Sequence, residues 1–307
     1  MAFRTLDDFA DVSGKRVLVR VDLNVPVKDG AVTDTTRIER VAPTIAELSA
    51  KGAKVVLLAH FGRPKGAPEP QYSLAPIARA AAETLGRPVA FAPDCVGEAA
   101  AKAVNALEVG GILLLENTRF YKGETKNDPE LSHQMAKHGD VFVNDAFGSA
   151  HRAHSSTVGV TEHLPAVAGM LLEREIDYLA NAIEAPKRPF VAILGGGKVS
   201  DKIAVIEALL GKVDALLIGG GMLFTFLAAQ GHRVGASLLE ADQLDTVRGY
   251  LAEAERRGVQ IELPTDVLVA ESFAADAAFT VQSADDIEGG PVGASGVGLD
   301  IGPDTAT

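Results

Sequence analysis

Residues 16–58 read RVLVRVDLNVPVKDGAVTDTTRIERVAPTIAELSAKGAKVVLL. The run from Arg16 to Val21 is continuous, apolar and β-branched rather than alternating, the pattern of a strand buried on both faces. Thr36-Arg-Ile-Glu39 is a capping-box pattern, and Ile38, Val41, Ile45 and Leu48 follow at helical spacing. Lys54 to Leu58 is a second run of the strand type. Strand, helix and buried strand in that order imply a parallel sheet of α/β type. The alternation continues along the chain. Ile112 to Leu115, Val141 to Val143, Phe190 to Leu194, Ala215 to Ile218 and Val259 to Leu263 read as strands, and helices are expected through Ile203, Ile206 and Leu210 and through Leu244, Val247 and Leu251.

A length of 307 residues suggests two domains. Gly169-Met-Leu-Leu-Glu-Arg-Glu-Ile-Asp-Tyr-Leu reads as a long helix, and Pro186-Lys-Arg-Pro189 follows before a new strand. The expected organisation is one α/β domain over 1–168, a connecting helix over 169–187 and a second α/β domain over 188–307.

Composition excludes several classes. Forty-one acidic against 29 basic side chains leave a net charge of −12, the opposite of a general nucleic-acid binder. The 47% hydrophobic content is that of a folded globular chain. A single cysteine, Cys95, rules out a disulfide framework or a Cys-based zinc site within one chain and fits a reducing compartment. Met1 to Lys15 carries Asp7, Asp8 and Asp11 and no apolar core, so it is not a secretory signal. Ala215 to Gly231 is uncharged, but Gly219, Gly220, Gly221 and Thr225 interrupt it, and a strand, a turn and a buried helix are expected rather than a membrane span.

In open α/β sheets, ligands bind beyond the carboxyl ends of the strands. In the first half those positions hold Asp22-Leu-Asn24, His60-Phe-Gly-Arg63, Glu116-Asn-Thr-Arg119 and Asn144-Asp-Ala-Phe-Gly-Ser-Ala-His151-Arg152-Ala-His154. In the second half they hold Gly195-Gly-Gly-Lys198-Val-Ser-Asp-Lys202, Gly219-Gly-Gly-Met222 and Pro264-Thr-Asp266. Arg37, Arg63, Arg119 and Arg152 could each be a solvated surface charge. Converging on one crevice, their forked guanidinium groups would suit a small, multiply charged anion. Arg37 and Lys202 are expected at helix starts, where a cation opposes the helix dipole by about 0.3–1 kcal/mol, and a bound anion would remove that conflict. Gly195 to Lys202 fits neither a Walker A motif nor G-x-G-x-x-G, which disfavours an NAD-dependent dehydrogenase. Its glycines suit either phosphate binding or close strand–helix packing. His151-x-x-His154 has no third ligand at a telling spacing, so a protein-held metal is not expected.

Taken together, VRVDLNVP (19–26), HFGRP (60–64), LENTRF (115–120), NDAFGSAHR (144–152), LGGGKVSDK (194–202) and IGGGM (218–222) closely resemble the phosphoglycerate kinase family, in order and along the whole chain. The resemblance implies two Rossmann-like parallel-sheet domains joined by a hinge helix that closes the substrates together. The first domain would bind 3-phosphoglycerate or 1,3-bisphosphoglycerate through Asp22, Asn24, Arg37, His60, Arg63, Arg119 and Arg152. The second would bind ADP or ATP with Mg2+ through Gly195, Gly196, Lys198, Lys202, Gly219, Gly220 and Gly298. Arg37, Lys198 and Lys202 are the residues implied at the transferring phosphoryl group. A cytoplasmic monomer acting in glycolysis, gluconeogenesis or carbon fixation follows from the same resemblance. The family continues past Gly302-Pro303 with another glycine-rich loop ending in Gly-Asp-Thr or Gly-Asp-Ser. The second domain is therefore expected to be incomplete at its C-terminus, and the rival expectation is a non-catalytic phosphoglycerate-binding module.

Overall fold

A computed structural model describes residues 3–9 and 11–307; Met1, Ala2 and Ala10 of the N-terminal stretch discussed above lie outside the described residues. The chain divides into two compact units, Met1–Ala180 and Asn181–Thr307.

In the first unit, β1 (Arg16–Arg20) leads through a small hairpin, β2 (Val27–Lys28) and β3 (Ala31–Val32), to α1 (Thr36–Ala50) and β4 (Lys54–Leu58). Next come α2 (Ala75–Leu85), β5 (Ala90–Ala92), α3 (Gly97–Ala106), β6 (Ile112–Leu115), α4 (Pro129–Ala136), β7 (Val141–Asn144), the short α5 (Phe147–Ala150) and β8 (Ala166–Ala168). The six main strands form one parallel sheet in the order β5-β6-β4-β1-β7-β8. Successive strands first step from β1 to one side and then return to its other side, so β1 lies at the topological switch.

Both faces of this sheet are buried, as the continuous apolar runs require. Val17 and Val19 pack on one side with Ile38, Val41, Ile45 and Leu48 of α1, while Leu18 packs on the other with Val104 of α3 and Met135 of α4. Each such fully buried aliphatic side chain stabilises the fold by about 1.5–3 kcal/mol relative to exposure. The hairpin, β5 and β8 are too short to give a sequence signal and were not expected.

The start of α1 differs from the capping-box reading. Thr35, not Thr36, is the N-cap; its hydroxyl donates to Glu39 Oε1 at 2.6 Å, and the Thr36 N–H donates to Asp34 Oδ1 at 2.8 Å. The Asp34 carboxylate is the stronger local acceptor, and Arg37 stays in the first turn.

The unit boundary falls inside α6 (Met170–Glu184). Its first turn is tied down: Asp145 Oδ1 accepts from the N–H groups of Leu171 and Leu172, and the Met170 N–H donates to Thr44 Oγ1. A carboxylate at a helix N-terminus satisfies orphan donors and complements the dipole.

In the second unit come β9 (Val191–Gly195), α7 (Ile203–Leu210), β10 (Ala215–Gly219), α8 (Leu223–Ala229), α9 (Leu244–Arg257) and β11 (Gln260–Glu262), with the strands parallel in the order β11-β10-β9. The uncharged stretch is thus a strand, a turn and a largely buried helix. Among the described residues no helix is long and apolar enough to cross a membrane. β9 departs from the buried-strand reading. It is a sheet edge; Ala192 and Leu194 pack inward, while Ile193 is 77% exposed.

Beyond the parallel sheets, the chain adds strands that the apolar runs did not signal. β12 (Asp266–Ala270), β13 (Phe279–Ser283) and β14 (Val297–Ile301) form an antiparallel sheet, β13-β12-β14. Residues 271–278 are too few for the crossover that parallel strands require, so the chain can only turn back. Asp266, read as a loop residue, opens β12, and its carboxylate accepts from the Asp304 N–H and from the N–H and hydroxyl of Thr305.

Candidate active site

The loops at the carboxyl ends of β1, β4, β6 and β7 close around a pocket of about 520 Å3. Asp22, Asn24, Arg37, His60, Arg63, Arg119 and Arg152 all line it, although they span residues 22–152. Gly62, Pro64, Thr125, Gly148 and Ser149 complete the wall.

Each side chain has a local reason for its place. Asp22 leaves the end of β1 and pairs with Arg37 from the first turn of α1. The Gly62 N–H donates to Asn24 Oδ1 at 2.9 Å, tying the β1 loop to the β4 loop. Arg119 Nη1 donates to the Gly62 carbonyl at 2.8 Å, and its Nε is buried without a hydrogen-bond partner. Asn117, fully buried, staples the β4 and β6 loops together. Its Oδ1 accepts from the Phe61 and Arg119 N–H groups, and its Nδ2 donates to the carbonyls of Phe61 and Tyr72.

The pocket therefore holds four guanidinium groups against the Asp22 carboxylate. Its electrostatics are set from behind. Arg20, the last residue of β1, is fully buried beneath the pocket. It donates to Val21 O, to Ser156 Oγ at 2.9 Å and to His60 Nδ1 at 2.8 Å. Glu124, also fully buried, accepts from the Ser156 hydroxyl at 2.6 Å, the Ser156 N–H at 3.0 Å and the Thr118 hydroxyl at 3.2 Å. Burial, followed by the charges of Arg20, Arg119, His154 and Arg152, pushes His60 down to about 2. His60 is therefore neutral throughout the physiological range, a donor or acceptor rather than a cation. Burial likewise lowers His154, against the opposing pull of Glu124.

These histidines link folding to pH. The unfolded chain takes up protons near pH 6.5 that folded His60 refuses, so stability is intact above that pH and declines as pH falls below it. The expected slope from His60 alone is about 1.4 kcal/mol per pH unit. Denaturation midpoints of the His60→Gln variant should fall less steeply between pH 6.5 and 5 than those of the unaltered chain; parallel slopes would mean that folded His60 titrates normally.

Of these supporting groups, Arg20, Asn117 and Glu124 were not singled out in the sequence. Arg20 sits within an apolar strand run, where a charge is a local contradiction, and that was the available signal. Glu124 carries no signal short of the fold.

In the second unit, Gly195 and Gly219 end neighbouring strands, and a Cβ on either would meet nothing within 4 Å. Packing therefore does not require glycine there, and open space is left beside both strand ends. Gly220 is different: a Cβ there would lie 2.9 Å from the N of Gly196, whose carbonyl accepts from the Met222 N–H, whereas a Cβ on Gly196 itself would meet Lys202 Cε at an ordinary 3.5 Å. With φ at +66°, Gly220 is also in the left-handed region. Gly220→Ala should destabilise the second unit by about 1–3 kcal/mol, read as a lower denaturation midpoint; an unchanged midpoint would mean the two loops are free to separate.

Lys202 is the N-cap of α7 rather than a residue within its first turn, because Ser200 is held by Glu240 instead of capping the helix. The Lys202 side chain lies over Gly196, and Lys198 is exposed. Gly298, on β14, faces the Phe224 ring closely enough that a Cβ would clash with it at 2.2 Å. Its position is thus explained by packing. Among the described residues no group of three or more His, Cys, Asp or Glu side chains could hold a metal ion.

The phosphoglycerate kinase family model matches residues 6–307. The chain belongs to the phosphoglycerate kinase family. It is 58% identical to the phosphoglycerate kinase of Mesorhizobium japonicum, an alignment covering 99% of this chain and 75% of that protein. It is 54% identical to that of Leifsonia xyli subsp. xyli over 100% of this chain and 77% of that protein. The solved phosphoglycerate kinase from Coxiella burnetii superposes with a TM-score of 0.85 at 41% identity, covering 99% of this chain and 76% of its own. Membership in this kinase family identifies the chain as a phosphotransferase of α/β fold, and it does not favour the non-catalytic rival.

Proposed function

We propose that the pocket of the first unit binds 3-phosphoglycerate or 1,3-bisphosphoglycerate, and that the chain catalyses reversible phosphoryl transfer between 1,3-bisphosphoglycerate and ADP, yielding 3-phosphoglycerate and ATP. The observation that carries the assignment is the convergence of Arg37, Arg63, Arg119 and Arg152 with neutral His60 in one pocket of an acidic chain. A ligand with a carboxylate at one end and a phosphate at the other matches several guanidinium forks at once.

The nucleophile of the reaction is the other substrate, so the protein needs no covalent group of its own; positioning and charge neutralisation suffice. Arg37 is assigned to the transferring phosphoryl group with Lys198, and Lys202 to the nucleotide phosphates. Arg63, Arg119, Arg152, His60, Asp22 and Asn24 hold the glycerate. Gly195, Gly196, Gly219 and Gly220 line the path of the nucleotide, with Gly298 near its base. Mg2+ enters this reading as part of the MgADP or MgATP substrate, on the phosphate oxygens. A cytoplasmic monomer completes the reading, and the single, buried Cys95 is compatible with a reducing compartment.

The test is an assay of ADP formation that depends on 3-phosphoglycerate, together with titration calorimetry. Alanine at Arg63, Arg119 or Arg152 should each weaken 3-phosphoglycerate binding by about 1.5–3 kcal/mol, the range for hydrogen bonds to charged groups. Unchanged affinity in all three variants would remove the phosphoglycerate assignment.

A further inference from the structure

His60 lines the anion pocket, but its protonation pattern is set by a residue that does not. Arg20 Nη2 lies 2.8 Å from His60 Nδ1. A guanidinium has only donors and keeps its proton, so Nδ1 must be the acceptor in this contact. The hydrogen of a neutral imidazole must then sit on Nε2. An unconstrained surface histidine exchanges between the two tautomers and the imidazolium; here the first choice is removed.

Arg20 is itself fixed by two further contacts. It donates to Val21 O and to Ser156 Oγ, and Ser156 Oγ in turn donates to Glu124 Oε1 at 2.6 Å. The chain His60, Arg20, Ser156, Glu124 is thus continuous from the pocket wall to a carboxylate with no solvent exposure. Groups on every neighbouring element bear on the imidazole: Arg20 on β1, Arg119 in the loop after β6, and Arg152 and His154 in the loop after β7. All the cations among them oppose its protonation.

We propose that Arg20 is a positioning residue for the anion pocket, holding His60 as the Nε2–H tautomer so that His60 presents a hydrogen-bond donor to an oxygen of the bound anion. The device deepens the phosphoglycerate reading and rests on it for the identity of the anion. It also gives the buried charge a purpose. A hydrophobic residue at the end of β1 would pack more cheaply, but it would leave His60 free to present a lone pair, which an anionic oxygen repels.

The test uses the whole chain with 15N-labelled histidine and long-range proton–nitrogen correlation. The expected spectrum has an unprotonated Nδ1 and a protonated Nε2 for His60, unchanged from pH 8 to pH 5. In Arg20→Met the two nitrogens should average toward mixed tautomers, and 3-phosphoglycerate affinity should fall about tenfold or more. In that background His60→Ala should add little further loss. Arg20→Lys retains one donor and should restore the tautomer in part, and it serves as the readable variant if Arg20→Met does not fold. A protonated Nδ1 in the unaltered chain, or the same tautomer with and without the Arg20 guanidinium, would overturn the proposal. Failure of 3-phosphoglycerate to bind the unaltered chain would instead count against the functional reading, because the tautomer is read without ligand.

Discussion

Arg37→Ala is expected to lower kcat for phosphoryl transfer on the order of a hundredfold or more, with a smaller loss in 3-phosphoglycerate affinity. Arg37 stands in the first turn of α1, where the helix dipole disfavours a cation by about 0.3–1 kcal/mol. Its side chain is half exposed, and its ion-pair partner is Asp22, itself a pocket residue. A guanidinium held this way by one carboxylate can turn toward charge that builds on a transferring phosphoryl group. Removing it also leaves Asp22 unpaired, adding a repulsive negative charge to the pocket. Arg37→Lys should recover only part of the rate, because an ammonium lacks the planar fork. Steady-state rates on the alanine and lysine variants read this directly. Full turnover in Arg37→Ala would exclude the residue from the chemistry.

Glu124→Ala is expected to destabilise the first unit by about 3–5 kcal/mol, the cost of stranding a buried charge. Glu124 is fully buried and holds Ser156 twice and Thr118 once. Its negative charge is also the largest influence opposing the burial that lowers Arg20 and Arg119. Without it, Arg20 keeps its positive charge in the interior with no fully buried carboxylate beside it. The double variant Arg20→Met with Glu124→Leu should be more stable than Glu124→Ala, since apolar side chains of similar size remove the stranded charge. Hydrogen exchange resolved over the first unit, combined with a double-mutant cycle, measures the coupling. Additive single effects would show that the two residues do not act as a pair.

Much of the arrangement was legible from the chain alone, and the reason differs by feature. The central strands of the first unit are buried on both faces, so their sequences had to be continuous apolar runs, and Lys54–Leu58 and Ile112–Leu115 fall where those runs do. The residues that follow such strands share one sheet edge by topology, and that edge together with the family resemblance named the seven pocket residues without coordinates. Family membership was carried by motifs with strict local chemistry, such as HFGRP and GGGK.

What only the tertiary structure decided is whatever depends on partners far apart in sequence. The antiparallel pairing of β12 with β13 follows from a connection too short to cross over, and the short alternating run Phe279–Ser283 carries no sign of which strand it will pair with. That the residue at 298 must lack a side chain is decided by the Phe224 ring, which is contributed by a helix more than seventy residues earlier. Arg20 and Glu124 are separated by over a hundred residues and meet through Ser156. Sequence fixes which residue types reach the pocket, because periodicity and strand-end position are local. It cannot fix which buried charges neutralise one another, because desolvation and pairing are properties of the packed interior.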